Sequence, residues 1–247
     1  MTPFGSLDNV SRAGEILRRA QLTQEHTPDQ GQVRRARAVV EGYRSAHAAP
    51  LQAANMGLRS CLATEGFETR PSQRLKRMPA IEAKLQRLTW LDLSIMQDIG
   101  GCRAVLATQE QVYQVEKRFR RNSYRRNGQH DTIRNYVDEP RSSGYRAIHI
   151  HTEYHDRRIE VQLRTRDQDL WAKFVEGLTS TTGVDFKNGA GPNEIHTQLR
   201  EMAVMLSSAE SYHLYPDDIV DVLTKLVTIA VADPTMRSRY RMIREGT

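Results

Sequence analysis

Alternation of apolar and polar residues is sharpest between positions 144 and 165. Across 158–165, Ile159, Val161 and Leu163 point to one side of an extended chain, and Glu160, Gln162 and Arg164 to the other. A second extended run covers 144–154, with a turn within 155–158. A loop with an even number of residues sets Ile148, Ile150 and Tyr154 beside the apolar group. It sets Tyr145, His149, His151 and Glu153 beside Glu160, Gln162 and Arg164. The pattern predicts an antiparallel hairpin with one apolar face and one face of acids, amides, imidazoles and guanidinium groups.

Around it the periodicity is mostly helical. Positions 11–62 read as helix, with Pro50 breaking or capping the second one. Ile81, Leu85 and Leu88 recur at helical spacing behind Pro79, with Lys76, Lys84 and Arg87 on that helix or just before it. The run 100–107 reads as a strand entered through Gly100-Gly101. Positions 109–122 are amphipathic, with Val112, Val115 and Phe119 inward and Lys117, Arg118, Arg120 and Arg121 outward. A further strand is expected at 132–137, a turn-rich loop at 138–144, a helix at 167–178 and a Gly-rich loop at 183–192. Two helices close the chain, one on Ile195, Leu199, Met202, Leu206 and Ala209, the other on Ile219, Leu223, Leu226 and Ala230. The fold class is α/β (α+β): a mixed β-sheet of about five strands flanked by helices, with helical N- and C-terminal extensions. The expected division is 1–70 helical extension, 71–190 core and 191–247 C-terminal helices.

Composition adds a bias rather than an answer. Lys plus Arg exceeds Asp plus Glu by six in 247 residues, and the pI is about 9.5. The excess suits an anionic partner, nucleotide or nucleic acid, and equally a solvated surface. Cys61 and Cys102 stand far apart and outside any metal spacing, which suits a reducing, cytoplasmic compartment. Neither a secretory signal nor a bilayer-spanning run is visible, so no membrane partner is expected. His26, His47, His196 and His213 read as surface or cap residues, and Trp90 and Trp171 as core packing. There is no phosphate-binding Gly-rich loop ending in Lys-Ser or Lys-Thr.

Four clusters carry the candidate chemistry: Arg74-Leu-Lys76 with Lys84; Gln97-Asp-Ile-Gly-Gly-Cys-Arg103; Pro140-Arg-Ser-Ser-Gly-Tyr-Arg-Ala-Ile-His149; and Glu160-Val-Gln-Leu-Arg-Thr165. Each alone has an ordinary explanation as a solvated helix face, a turn or a strand ion pair. In this order and spacing they resemble the synthetase domain of the RelA/SpoT family, ATP-dependent pyrophosphokinases that make alarmone nucleotides. The family pattern Arg-x-Lys-x-x-x-Ser-Ile-x-x-Lys meets Arg74, Lys76, Ile81 and Lys84, with Ala80 for Ser. Asp-Ile-Ala-Gly-x-Arg meets 98–103 with Gly100 for Ala. Pro-Lys-x-x-Gly-Tyr-x-Ser-x-His meets 140–149 with Arg141 for Lys and Ala147 for Ser. Glu-x-Gln-x-Arg-Thr meets 160–165 unchanged. The likeness covers roughly residues 70–180 and looks like a small, synthetase-only member with a nucleotidyltransferase-like synthetase fold.

The resemblance implies transfer of the β,γ-pyrophosphate of ATP to a 3′-hydroxyl, with release of AMP. It implies Mg²⁺ on Asp98 and Glu160, with Glu160 also placed to activate the hydroxyl and Gln162 beside it in a catalytic role. Lys76 and Lys84 then hold ATP phosphates, and Arg74 and Arg103 sandwich the adenine. Tyr145 stacks on the acceptor base, with Arg141, Arg146, His149 and Arg164 orienting the acceptor. The acceptor is GDP or GTP, an adenosine nucleotide or, as in toxic members of the family, the 3′-CCA end of tRNA; the basic, aromatic stretch 117–126 suits RNA, a solvated helix or an acidic antitoxin alike. An inactive nucleotide-binding module is a third reading, and homo-oligomers occur among small family members.

Overall fold

The computed structural model describes residues 4–20, 28–128, 130–207 and 228. Its elements are α1 (Leu7–Arg19), α2 (Gln30–Ser45), α3 (Ala48–Thr64), β1 (Ser72–Leu75), α4 (Met78–Arg87), a 3₁₀ turn at Leu93–Ile95 and β2 (Gly100–Leu106). Then follow α5 (Gln109–Asn127), β3 (Thr132–Asn135), β4 (Ile148–Tyr154), β5 (Arg157–Thr165), α6 (Arg166–Thr182), a 3₁₀ turn at Phe186–Asn188 and α7 (Asn193–Ser207). One five-stranded sheet runs in the order β1-β2-β5-β4-β3, the mixed α/β arrangement expected from the pattern. The expected helix on Ile219, Leu223, Leu226 and Ala230 lies outside the described residues, as do Ala209, His26 and His213. Among the described residues no helix is long and apolar enough to cross a membrane.

The hairpin forms as its alternation demands. His155 and Asp156 make a two-residue turn with φ of 48° and 57°, the positive values that a tight hairpin turn needs and that His and Asp tolerate better than most residues. An even loop keeps the parity, so Ile148, Ile150, Ile159, Val161 and Leu163 are all almost fully buried.

The chain divides into two compact units, one of residues 1–104, 113–133 and 149–162, the other of 105–112, 134–148 and 163 onward. In the first, α1 and α2 bring Val10, Ala13, Leu17, Ala36, Val40 and Tyr43 onto Ile81 and Leu85 of α4 and the segment Leu91–Ile99. The N-terminal helices are therefore part of a core. In the second, Tyr145 and Ala147 join Trp171, Ala172 and Val175 of α6, Phe186, and Ile195, Leu199 and Met202 of α7.

Local chemistry explains the boundaries. Asp29 and Gln32 form a reciprocal capping box on α2, and Thr165 and Gln168 do the same on α6. Pro50 neither breaks nor ends a helix; it sits in the first turn of α3, where its missing N–H costs nothing. The segment around Arg74 is a strand, β1, which pairs antiparallel with β2 (Arg74 opposite Gly101). A Cβ at Gly100 would come within 2.7 Å of Ile159 Cδ1, so the Ala usual at this place in the family motif would have to displace the end of the Ile159 side chain.

Three expectations fail. Trp90 is 73% exposed, because α4 ends at Arg87 and the helical period does not reach it; Leu91 is buried instead. Trp171 is in the core as expected. His196 is buried and its Nε2 bonds the Ala190 carbonyl at 3.0 Å. His47 is fully buried as well, with Nδ1 on the Tyr43 carbonyl at 2.8 Å and Nε2 unpartnered. Burial pushes its pKa down to about 4. The unfolded chain binds that proton near pH 6.5, so between 6.5 and 4 only the unfolded state is protonated and stability falls with pH. The total is about 3 kcal/mol. Urea unfolding of the protein at pH 7 and pH 4.5 should show this loss, and His47→Asn, which keeps a donor near the Nδ1 position, should lack it.

Candidate active site

The first unit gathers most of the predicted catalytic set. The backbone N–H of Lys76 donates to the Ile99 carbonyl (2.8 Å), and the Arg44 guanidinium binds the Lys76 carbonyl (2.7 Å). These two bonds fix the chain end of β1 against the segment that leads into β2. Lys76 Nζ lies 3.0 Å from Asp98 Oδ2, and Lys84 Nζ, from the last turn of α4, lies 2.8 Å from Oδ1. Burial by itself would raise the Asp98 pKa; the two ammonium charges outweigh it and hold the carboxyl below its ordinary value, even against the negative charge of Glu160. That opposing influence also shows that the two carboxylates are electrostatic neighbours.

Glu160 is held differently. His149 Nδ1 lies 2.9 Å and His151 Nε2 3.4 Å from the same oxygen, Oε1, while Gln162 Nε2 donates to Oε2 at 2.5 Å. The imidazoles come from alternate positions of β4 and the acid from β5, so the sheet itself sets the spacing. Glu160 is 9% exposed. Burial favours its neutral form, yet the His149 charge and the bonds from His149, His151 and Gln162 keep the carboxyl well below the ordinary carboxylate range. His149, expected to contact an acceptor, is engaged with the acid in this conformation.

Arg74 and Arg103 fall on one face. Gly101 is directly opposite Arg74, and Arg103 lies two residues further along β2 on the same side. Such diagonal neighbours stand roughly 7–8 Å apart at the backbone. Gly101 puts no side chain between them, which leaves room for one flat ring between two guanidinium planes.

In the second unit the acceptor residues are built into a core. Tyr145 is fully buried, as is Arg164. Arg164 Nη2 donates to the Tyr145 hydroxyl at 2.8 Å, and Nη1 lies 3.4 Å from Asp169 Oδ1. Lys187 Nζ lies 4.7 Å over the Tyr145 ring, and Arg141 and Arg164 lie 5.5 and 5.2 Å from it. In this conformation the Tyr145 ring and the Arg164 guanidinium, expected to meet the acceptor, are both covered. Gly144 explains part of the cover, since at φ 89° it lets α7 approach to 3.1 Å of where a Cβ would be. Arg141 donates to Asn188 Oδ1 and to the Tyr136 hydroxyl, and Arg146 to the Val137 carbonyl.

Sequence reasoning placed His151 on the working face but gave it no role; its spacing of two from His149 was the available signal. Arg44 gave no signal, because its target is a backbone carbonyl. Thr165, the last residue of the matched motif, is the cap of α6.

Residues 73–181 match the family model described as the region found in RelA / SpoT proteins. The chain is 30% identical over 147 residues to uncharacterized proteins of Mycobacterium bovis and of Mycobacterium tuberculosis, covering 57% of this chain and 52% of theirs. It thus spans about half the length of the curated relatives it matches. Among solved structures, the small alarmone synthetase 1 of Bacillus subtilis bound to its product pppGpp aligns with a TM-score of 0.55 at 19% identity, over 73% of this chain and 97% of that one. A GTP pyrophosphokinase family protein of Streptococcus pneumoniae aligns with a TM-score of 0.55 at 21% identity, over 76% and 96%. The fold is that of the small alarmone synthetases.

Proposed function

We propose that this protein transfers the β,γ-pyrophosphate of ATP to the 3′-hydroxyl of a nucleotide acceptor and releases AMP. The observation that carries the reading is Asp98 held between Lys76 and Lys84, with the ionised Glu160 as its neighbour. Polyphosphate oxygens would compete with Asp98 for the two ammonium groups, so arrival of ATP would uncover the carboxylate as its charge is balanced. Asp98 then suits Mg²⁺, which takes oxygen ligands. Bound there with the nucleotide, the ion would neutralise charge on the transferring phosphates. Glu160 fits that oxygen-only shell less well, since two imidazoles already address its Oε1.

The chain's own groups cover the remaining needs. Lys76 and Lys84 would bind phosphate oxygens, and Arg74 and Arg103 would hold the adenine. Glu160, deprotonated at neutral pH, would orient the acceptor hydroxyl and take its proton as the oxygen attacks. Its low pKa makes it a weak base, and with His149 carrying the charge that lowers it, His151 is the adjoining imidazole that would give the proton a next stop. Tyr145 would meet an acceptor base only after the Lys187 segment shifts, which makes acceptor binding a step coupled to movement in the second unit. A fold neighbour carries pppGpp, which makes GDP and GTP the first acceptors to test.

One observation favours a second reading with a tRNA 3′ end as acceptor. Tyr113, Gln114, Lys117, Arg120, Arg121, Tyr124 and Arg125 of α5 are all exposed, a basic strip with aromatics. Incubation with γ-labelled ATP, Mg²⁺ and, separately, GDP, GTP, ATP or deacylated tRNA decides between the acceptors; AMP with no labelled acceptor in any tube would end the transferase reading. If tRNA is labelled, Arg120→Glu with Arg121→Glu should weaken its transfer at least tenfold and flatten its salt dependence. Transfer to GDP should be unchanged by the pair.

A further inference from the structure

We infer that His149, His151 and Glu160 form a second cation site that takes a divalent ion of borderline softness, such as Zn²⁺ or Co²⁺, through two imidazole nitrogens and one carboxylate oxygen. The three donor atoms all lie within 4.8 Å of one another. An ion about 2.1 Å from each ligand sets neighbouring ligands about 3.0 Å apart at right angles and about 3.4 Å apart at tetrahedral angles. The two contacts to Oε1, at 2.9 and 3.4 Å, span those values. The two ring nitrogens, within 4.8 Å of each other, would close toward those spacings as the ion binds; the strands already place all three donors together, since alternate positions of β4 put both rings on one face and β5 presents the acid opposite. Glu160 Oε2 is fixed by Gln162, which leaves Oε1 as the atom turned to the rings. His149 and Glu160 are buried, while the His151 side chain keeps 18% of its exposure and marks the side from which an ion can enter.

The donor chemistry separates this site from Asp98. Imidazole suits Zn²⁺, Co²⁺ and related ions, whereas Mg²⁺ prefers oxygen and keeps its water. Asp98 is instead flanked by two ammonium groups, which cannot ligate while protonated. The inference shares Glu160 with the reading above but not its reaction; ion binding can be present in a protein that transfers nothing.

The test uses the full chain, stripped with a chelator, titrated with Co²⁺ and followed by its visible absorption. One equivalent should bind with a spectrum of low coordination number, Zn²⁺ should displace it, and a thousandfold excess of Mg²⁺ should not. His151→Gln should weaken binding at least about 100-fold, more than loss of an outer-shell partner typically does. Asp98→Asn should bind Co²⁺ as before. Because His151→Gln could disturb the sheet, the unaltered protein gives an independent readout: Cu²⁺ bound in place of Co²⁺ should show magnetic coupling to two imidazole nitrogens. Co²⁺ binding that survives His151→Gln, fails in Asp98→Asn or yields to Mg²⁺ would overturn the inference, as would a Cu²⁺ spectrum with oxygen ligands alone.

Discussion

Glu160→Gln should lower pyrophosphate transfer by about 10³-fold, and Asp98→Asn by a similar factor, while both proteins stay folded. Glutamine keeps the shape of Glu160 and can still accept from His149 and His151 through its carbonyl, but it cannot take a proton. Asparagine at 98 keeps the volume and loses the charge that two lysines now balance. The two variants should differ in what fails. Asp98→Asn leaves both ammonium groups free for phosphate, so ATP affinity should hold or rise while turnover collapses. Glu160→Gln should leave ATP affinity unchanged and fail at the acceptor hydroxyl. Initial rates of label transfer, with ATP binding measured separately, check both. Near-full turnover in Glu160→Gln would mean that another group accepts the proton.

The second large effect concerns stability. Arg164 is the largest fully buried side chain among the described residues, and its partners include the Tyr145 hydroxyl and Asp169. Removing the acid leaves a guanidinium charge in a core, which typically costs about 3–5 kcal/mol. Asp169→Ala should therefore destabilise by about that amount in urea unfolding. Arg164→Met should cost less, because Asp169 keeps its ion pair with Lys173 at 2.9 Å, whose ammonium side is solvated. The order of the two losses is the check. A larger loss for Arg164→Met would mean that the bond to Tyr145, rather than charge balance, dominates.

Acid stability has a separate origin below the His47 window. The Asp98 and Glu160 carboxyls are both held below their ordinary values, so each contributes stability above the unfolded carboxylate pKa of roughly 4, lost as pH falls through the folded value.

The amino-acid order alone determined the hairpin and its two faces. A strand's period is two, so an even loop puts the apolar positions from Ile148 to Leu163 on one face; that the loop is the two residues His155 and Asp156 came from the structure. The amino-acid order also carried the family resemblance, because Asp98, Glu160, Gln162 and the two lysines stand at fixed spacing within the segment that matches the family model. Helices α4, α5 and α6 were legible from their apolar period. What only tertiary structure decided is which polar side chains face solvent and which are enclosed. Tyr145 and Arg164 read as ligand contacts from their motif, yet Gly144, α7 and Lys187 cover them, and these lie in an irregular loop or in segments far along the chain. Exposure of Trp90 turned on where α4 stops, and burial of His47 on Tyr43 and its neighbours. The pairing of two imidazoles with one oxygen of Glu160 likewise needs a distance between strands, which spacing along the chain does not encode.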